Sequence, residues 1–234
     1  AVATKTYIDD IFSTFLYTGT DTYPKHIVNG IDLAGEGGAV FGKPRTGSYN
    51  WTVHDTKQGV QKGLAFNGTG AQYDNTGNQG GSTTRDLTNF NNNGFTLGSA
   101  WSASGINPAD IDVVSYTLRK CSGFFDCIKF TGTGAQSSSP QSINHSLGSI
   151  PGMIIIKNLT QAGQWFVYHT SIGEDKFLQL NKTDAAVGYN GGFKNITSSS
   201  FSVFDSNSTN TNEFIAYLFA GGESTAATAR SVDF

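Results

Sequence analysis

The chain has 234 residues, 24.9 kDa, a net charge of −3 and a pI near 5.7. Fifteen basic residues against eighteen acidic ones supply no Lys/Arg excess to neutralise phosphates, which argues against a nucleic-acid protein. Its apolar runs fall far short of the about 20 residues needed to cross a bilayer, and two cysteines exclude both a disulfide-built scaffold and a four-Cys zinc site.

Charged residues make up only 14%, against about 25% in an average soluble protein. The surface must therefore be made polar by Asn, Ser, Thr, Gln and Gly, while 17 Phe, 9 Tyr and 3 Trp supply a core. In chain order, the N-terminus (AVATKTYIDD) lacks an apolar leader run, so no secretory signal is expected. Residues 1–15 read as an N-terminal docking segment carrying Tyr7, Ile8, Ile11, Phe12 and Phe15. Ile8, Ile11, Phe12 and Phe15 recur at i, i+3, i+4 and i+7, which predicts a short helix within Thr4–Phe15. Apolar/polar alternation then predicts strands at Trp51-x-Val53, Leu64-x-Phe66, Phe95-x-Leu97 and Val114-x-Tyr116-x-Leu118. Met153–Ile156 reads as a strand buried on both faces, with Gly38–Phe41 as its counterpart, and Phe214–Phe219 closes the pattern. Asn29-Gly30, Asn67-Gly68, Asn93-Gly94, Pro151-Gly152 and Asn190-Gly191 separate these segments as turns.

The same pattern occurs twice. Trp51-x-Val53-x-x-Thr56-x-x-Gly59 returns as Trp165-x-Val167-x-x-Thr170-x-x-Gly173, at an offset of 165 − 51 = 114. Leu64, Phe66, Asn67, Thr69 and Ala71 continue in phase with Leu178, Leu180, Asn181, Thr183 and Ala185. Tyr17-Thr-Gly19 answers Phe130-Thr-Gly132, Phe95-Thr-Leu97 answers Phe201-Ser-Val203, and Tyr116 answers Tyr217. The expectation is an all-β chain of two tandem, duplicated β-sandwich-like domains, with a distorted barrel as the variant. Copy 1 spans 16–120 and copy 2 spans 121–220; residues 221–234 read as a linker or the start of a further domain. Trp51, Val53, Tyr116, Ile154, Ile156, Trp165, Val167 and Tyr217 are expected to point into the cores.

Few residues suggest chemistry. His54 and His169 lie one position out of phase in the alignment, so a shared metal or base role is not expected, and strand-end polar residues are the reading. His26 and His145 stand in strand-leading segments. Asp9-Asp10, Glu36 and Glu174-Asp175 read as surface turns and form no carboxylate pair suited to glycoside hydrolysis. Asp205-Ser-Asn207-Ser-Thr-Asn210 and Asp74-Asn75 offer oxygen ligands without the pattern of a calcium loop. Cys121 and Cys127 stand between the copies, as buried thiols or, in an oxidising setting, a bridge. No catalytic, metal or cofactor residue is assigned, no cofactor is expected, and the chain is read as non-enzymatic. Trp101, in a loop rich in Gly, Ser and Ala, is the candidate exposed aromatic.

The motifs Asn29-Gly-Ile-Asp-Leu-Ala-Gly-Glu-Gly-Gly38, Phe90-Asn-Asn-Asn-Gly-Phe-Thr-Leu-Gly98, Gly123-Phe-Phe-Asp126, His145-Ser-Leu-Gly-Ser-Ile-Pro-Gly-Met-Ile-Ile-Ile-Lys157 and Tyr217-Leu-Phe-Ala220 resemble a domain of tail-fibre-like virion proteins from marine and cyanobacterial tailed bacteriophages. The resemblance runs from about Thr4 to Ala220 and brings no catalytic residues with it. Ala39-Val-Phe-Gly-Lys-Pro-Arg45 departs from the pattern of first copies, and Pro44 suggests an edge or a strand end there. The resemblance implies a phage virion structural protein, made in the bacterial host cytoplasm and located in the particle. It would be the particle-proximal part of a tail fibre or similar appendage that supports host attachment. Its implied partners are other tail or capsid proteins and copies of itself, a homotrimer by analogy with tail fibres, with host surface glycan as a further partner. A capsid-decorating or head-fibre protein and a carbohydrate-binding module are the alternatives.

Overall fold

The computed structural model describes residues 6–76, 84–100, 105–188 and 192–222. Trp101 and residues 223–234, on which the exposed-aromatic and most of the linker readings fall, lie outside them. The chain is all-β with sandwich-like antiparallel sheets, and among the described residues no sheet closes on itself, so the barrel variant is not adopted.

Two compact units divide the chain. Of the described residues, the first contains those up to Ala65 together with Tyr73–Cys121; the second contains Phe66–Gln72 and 122–222. In the first unit the strands are β1 (Phe12–Thr18), β2 (Lys25–Val28), β3 (Gly38–Pro44), β4 (Thr52–Asp55), β5 (Lys62–Ala65), β6 (Tyr73–Asp74), β7 (Leu87–Asn91), β8 (Gly94–Leu97) and β9 (Asp112–Arg119). They form one sheet in the order β1-β9-β3-β4-β5-β6 and a smaller sheet β2-β8-β7. Between the two lies a core of Val40, Val113, Ile27, Leu87, Phe95, Leu97 and Ile106, with Phe15 and Tyr17 packed at its margin. Each such side chain removed from water contributes about 1.5–3 kcal/mol.

The second unit carries β10 (Phe125–Thr131), β11 (Gln141–Asn144), β12 (Pro151–Asn158), β13 (Phe166–His169), β14 (Leu178–Gln179), β15 (Phe193–Lys194), β16 (Ser200–Val203) and β17 (Glu213–Ala220). Its sheets are β10-β17-β12-β13-β14 and β11-β16-β15. Ile154, Ile156, Ala216 and Leu218 of the larger sheet meet Ile143, Phe193, Phe201 and Val203 of the smaller one.

Pairing register repeats between the units. Phe41 pairs with Val53 and Tyr116 in the first; Ile155 pairs with Val167 and Tyr217 in the second. Val53 opposes Leu64 as Val167 opposes Leu178, and Ile27 opposes Phe95 as Ile143 opposes Phe201. Even the short pair Gly63–Tyr73 has its counterpart in the bridge Phe177–Val187. Because side chains alternate across a strand, a one-residue slip would turn a whole face outward; equal register therefore places equivalent residues on equivalent faces.

Gly19 and Gly132 show why Tyr/Phe-Thr-Gly recurs. A Cβ at Gly19 would lie 2.0 Å from the Pro108 carbonyl oxygen, and one at Gly132 would lie 2.2 Å from that of Thr209. Both turns close on a backbone that leaves no room for a side chain.

Three expectations change. The N-terminal helix is one turn, Ile8–Ile11, and Phe12 already begins β1. Phe12–Phe15 pair with β9 as Phe125–Ile128 pair with β17, so Phe12 and Phe15 belong to a repeat strand. Of the residues expected in the cores, Ile154 and Ile156 are there; Val53, Val167, Trp165 and Tyr217 are buried on the opposite face of the larger sheets, Trp51 is 37% exposed and Tyr116 is half-buried. His54 is no surface strand-end residue: it is fully buried within β4.

Candidate functional site

The outer face of each larger sheet, turned away from its core, is where the two units differ. In the second unit the cross-strand rows on this face are Lys129, Ile215 and Lys157, then Cys127, Tyr217, Ile155, Val167 and Leu178. Trp165, one residue before β13, extends the first row. Ile215, Lys157, Tyr217, Cys127 and Trp165 are all buried, whereas Lys129 at the end of the first row is exposed and pairs with Glu213.

Part of the cover is Phe66–Gln72, which follows β5 in the chain but belongs to the second unit. The Phe66 ring packs on the Trp165 indole, centroids 4.6 Å apart. The Trp165 Nε1–H donates to the Gly68 carbonyl at 3.0 Å. Lys157 Nζ donates to the carbonyls of Thr69 (3.3 Å) and Asn158 (3.1 Å). Gly163 N–H donates to Thr69 O and Gln72 N–H to Leu159 O. Removal from water lowers the Lys157 pKa to about 8.

In the first unit the corresponding rows are Leu16, Val114 and Lys43, extended by Trp51, and Thr14, Tyr116, Phe41, Val53 and Leu64. Leu16 is 60% exposed, Thr14 is exposed, and Val114, Tyr116 and Lys43 are half-buried. Trp51 stacks on Tyr116 at 6.1 Å and 17°. Lys43 Nζ donates to the carbonyls of Pro44 and Tyr49, both at 2.9 Å. Leu16 and Trp51 thus stand at the ends of one row across four strands, a mostly apolar stripe interrupted by Lys43 and open to water at both ends, while Phe41, Val53 and Leu64 of the same face are buried.

A second candidate is a cavity of about 510 Å³ in the second unit, lined by Phe166, Phe177, Asn158, Gln161, Gln164 and Gln179 among others. The two phenyl rings meet at a tilt, 4.8 Å apart and 60° between planes. Asn158 Oδ1 accepts from the Thr160 and Gln161 backbone N–H groups, which fixes the loop at the rim. Lys182 and Asp184, 3.7 Å apart, stand on the other side. Carboxamides beside aromatic faces suit hydroxyl-rich ligands, whose O–H groups bond to amides while C–H faces lie on rings.

The ionisable residues singled out in the sequence have structural partners. His54 Nδ1–H donates to Lys62 O at 2.9 Å, and Nε2 faces the Tyr73 hydroxyl at 3.4 Å; burial lowers its pKa to about 4. His169 caps the short 3₁₀ turn Thr170–Ile172 by accepting from Ser171 N–H. His26 bonds to Thr96 Oγ1 and His145 to Thr197 O. Glu174 accepts from the backbone N–H groups of Asn195 and Ile196. Asp126 accepts from Ser146 N–H and Oγ–H, so the acid of Gly123-Phe-Phe-Asp126 ties β10 to the stretch after β11. Cys127 is buried, Cys121 is half-buried, and no disulfide joins them. Among the described residues no three His, Cys, Asp or Glu side chains converge, and no helix is long and apolar enough to cross a membrane.

The docking residues of the N-terminus are not one surface. Ile11 is fully buried and Phe15 packs on the first core, whereas Ile8 is exposed and Tyr7 half-buried. Sequence reading missed the outer face because Trp51 and Trp165 have the same local pattern. It missed Lys157 because a lysine in a strand ordinarily signals solvent.

These features define a class: a duplicated, antiparallel all-β protein whose distinctive sites are a sheet face and an amide-lined cavity. The chain belongs to the family described as "Domain of unknown function (DUF7483)", which matches residues 8–227. No curated protein and no solved structure matches it.

Proposed function

We propose that the chain is a non-enzymatic virion structural protein of a tailed bacteriophage: the particle-proximal part of a tail fibre or similar appendage that supports host attachment. It works by surface complementarity, as a homo-oligomer in contact with other tail or capsid proteins. The observation that carries this reading is the pair of β-units with a charge-poor surface and an open apolar stripe at Leu16 and Trp51. Apolar stripes of this kind serve protein–protein contact. The trimer and the virion location come from the resemblance of the sequence motifs to tail-fibre-like proteins. Purified particles of the source phage, analysed by mass spectrometry and by an electron-microscopy map with the chain located in it, test the proposal. The chain is expected at stoichiometric abundance in an appendage; its absence from purified particles would overturn the reading.

A carbohydrate-binding role is the second reading, favoured by the amide- and phenyl-lined cavity of the second unit. Binding of host surface polysaccharide that is lost in Gln164→Ala or Phe177→Ala while folding is retained would establish it. In either case no release of reducing ends from that polysaccharide is expected.

A further inference from the structure

Equivalent faces of the two units have unequal cover, and the sequence supplies a second copy of the covering element. In the second unit, Phe66–Gln72 lies over Trp165 and Lys157. At the offset of 114 that relates Trp51 to Trp165, the counterpart of Phe66–Gln72 is the stretch 180–186. This counterpart stands out in solvent: Leu180 is 42% exposed, and Lys182 to Ala186 are exposed throughout. Its proper target, by the matching strand register, is the part of the face carrying Trp51, Lys43, Val114 and Tyr116, whose equivalents Trp165, Lys157, Ile215 and Tyr217 are buried.

We propose that residues 180–186 of one chain dock on the outer face of the first unit of a second copy, in the way Phe66–Gln72 sits on the second unit. Leu180 takes the place of Phe66 against the Trp51 ring. The Lys182 carbonyl corresponds to that of Gly68, beside the indole, and the Thr183 carbonyl to that of Thr69, beside Lys43, whose ammonium has a third N–H besides the two that bond Pro44 O and Tyr49 O. Side chains replace two glycines in this loop, and at Gly70 there is room: a Cβ there would meet nothing within 4 Å, so Asp184 at the equivalent place is accommodated. The contact joins two different surfaces, so it is head-to-tail. Such contacts close into rings or run on as filaments, according to the rotation between copies. Both suit a repeating appendage.

This surface deepens the self-association part of the proposed function and rests on it, while being independent of virion location. Sedimentation velocity of the full chain from about 1 to 300 µM, spanning ordinary interface affinities, tests it, with Trp51→Asp, Leu180→Asp and Val28→Asp compared. All three positions are exposed, and thermal melts check that each variant folds. Val28 lies on β2, away from the proposed contact, and serves as control. The expected result is concentration-dependent association, weakened at least tenfold by Trp51→Asp and by Leu180→Asp and unchanged by Val28→Asp. Association unaffected by either of the first two overturns this surface and leaves self-association standing. A monomer throughout the concentration range overturns both.

Discussion

The two tryptophans that begin the repeated strand show how position in the fold, not local pattern, decides a residue's energetic role. Trp165 is sealed under Phe66 and bonded to Gly68 O, so Trp165→Ala should cost about 3–5 kcal/mol. Trp51 keeps 37% of its surface in water, so Trp51→Ala in the monomer should cost only about 1 kcal/mol. Chemical denaturation of both variants checks the difference. His54 offers a second residue-scale test. Its folded pKa of about 4 lies below the ordinary 6.5. Between those values the unfolded chain binds a proton that the folded chain refuses, so stability is complete above pH 6.5 and falls as pH drops toward 4. The loss should reach about 3 kcal/mol. His54→Asn, which keeps a donor for Lys62 O, should flatten that limb in urea titrations run from pH 7 to 4. Lys157 acts at the other end: with its pKa lowered to about 8, its contribution to stability rises with pH from about 8 toward 10.5. Lys157→Met should remove that slope.

At the scale of elements, the loop Phe66–Gln72 is the part whose role could not be read from its neighbours in the chain. It joins β5 to β6 of one unit and hydrogen-bonds in the other. Phe66→Ala should therefore loosen β13: amide hydrogen exchange from Phe166 to His169 should quicken, while that of β8 is unchanged. If β13 keeps its protection, the loop is an accessory to that unit and not part of it. The turns after β1 and β10 give a matched pair. Gly19→Ala and Gly132→Ala both drive a Cβ into a carbonyl oxygen at about 2 Å, and each should cost about 1–3 kcal/mol or more, measured by thermal unfolding. Equal penalties are expected because the two turns are built alike.

For the whole molecule, low charge and duplicated sheets set the solution behaviour. The ion pairs Lys62–Asp74, Lys129–Glu213, Lys182–Asp184 and Lys194–Asp175 are all at the surface. Screening them should change the unfolding free energy by less than about 1 kcal/mol, so melts in low and high NaCl should nearly coincide. Association through an apolar stripe should likewise survive added salt, unlike a contact made by charges. A folded chain whose association collapses in salt would point instead to the charged rims of the sheets.

Alternation and internal repetition were enough to read the all-β class, the two copies and the core positions Ile154 and Ile156, because periodicity is a local property and core faces obey it; Val53, Val167, Trp165 and Tyr217 are buried as well, but on the opposite face of the larger sheets, which alternation does not distinguish. The repeated Tyr/Phe-Thr-Gly turn was visible as a motif, and its cause, a backbone carbonyl from a distant segment, was not. Likewise Trp51 and Trp165, or Lys43 and Lys157, are alike in sequence; what separates them is whether a stretch about 100 residues away in the chain lies over them. Solvent exposure is set by everything that packs within a few ångströms, whatever its place in the chain. The repeat could therefore be determined by sequence alone, while the difference between its two copies, and with it the candidate docking face, was decided only by the tertiary structure.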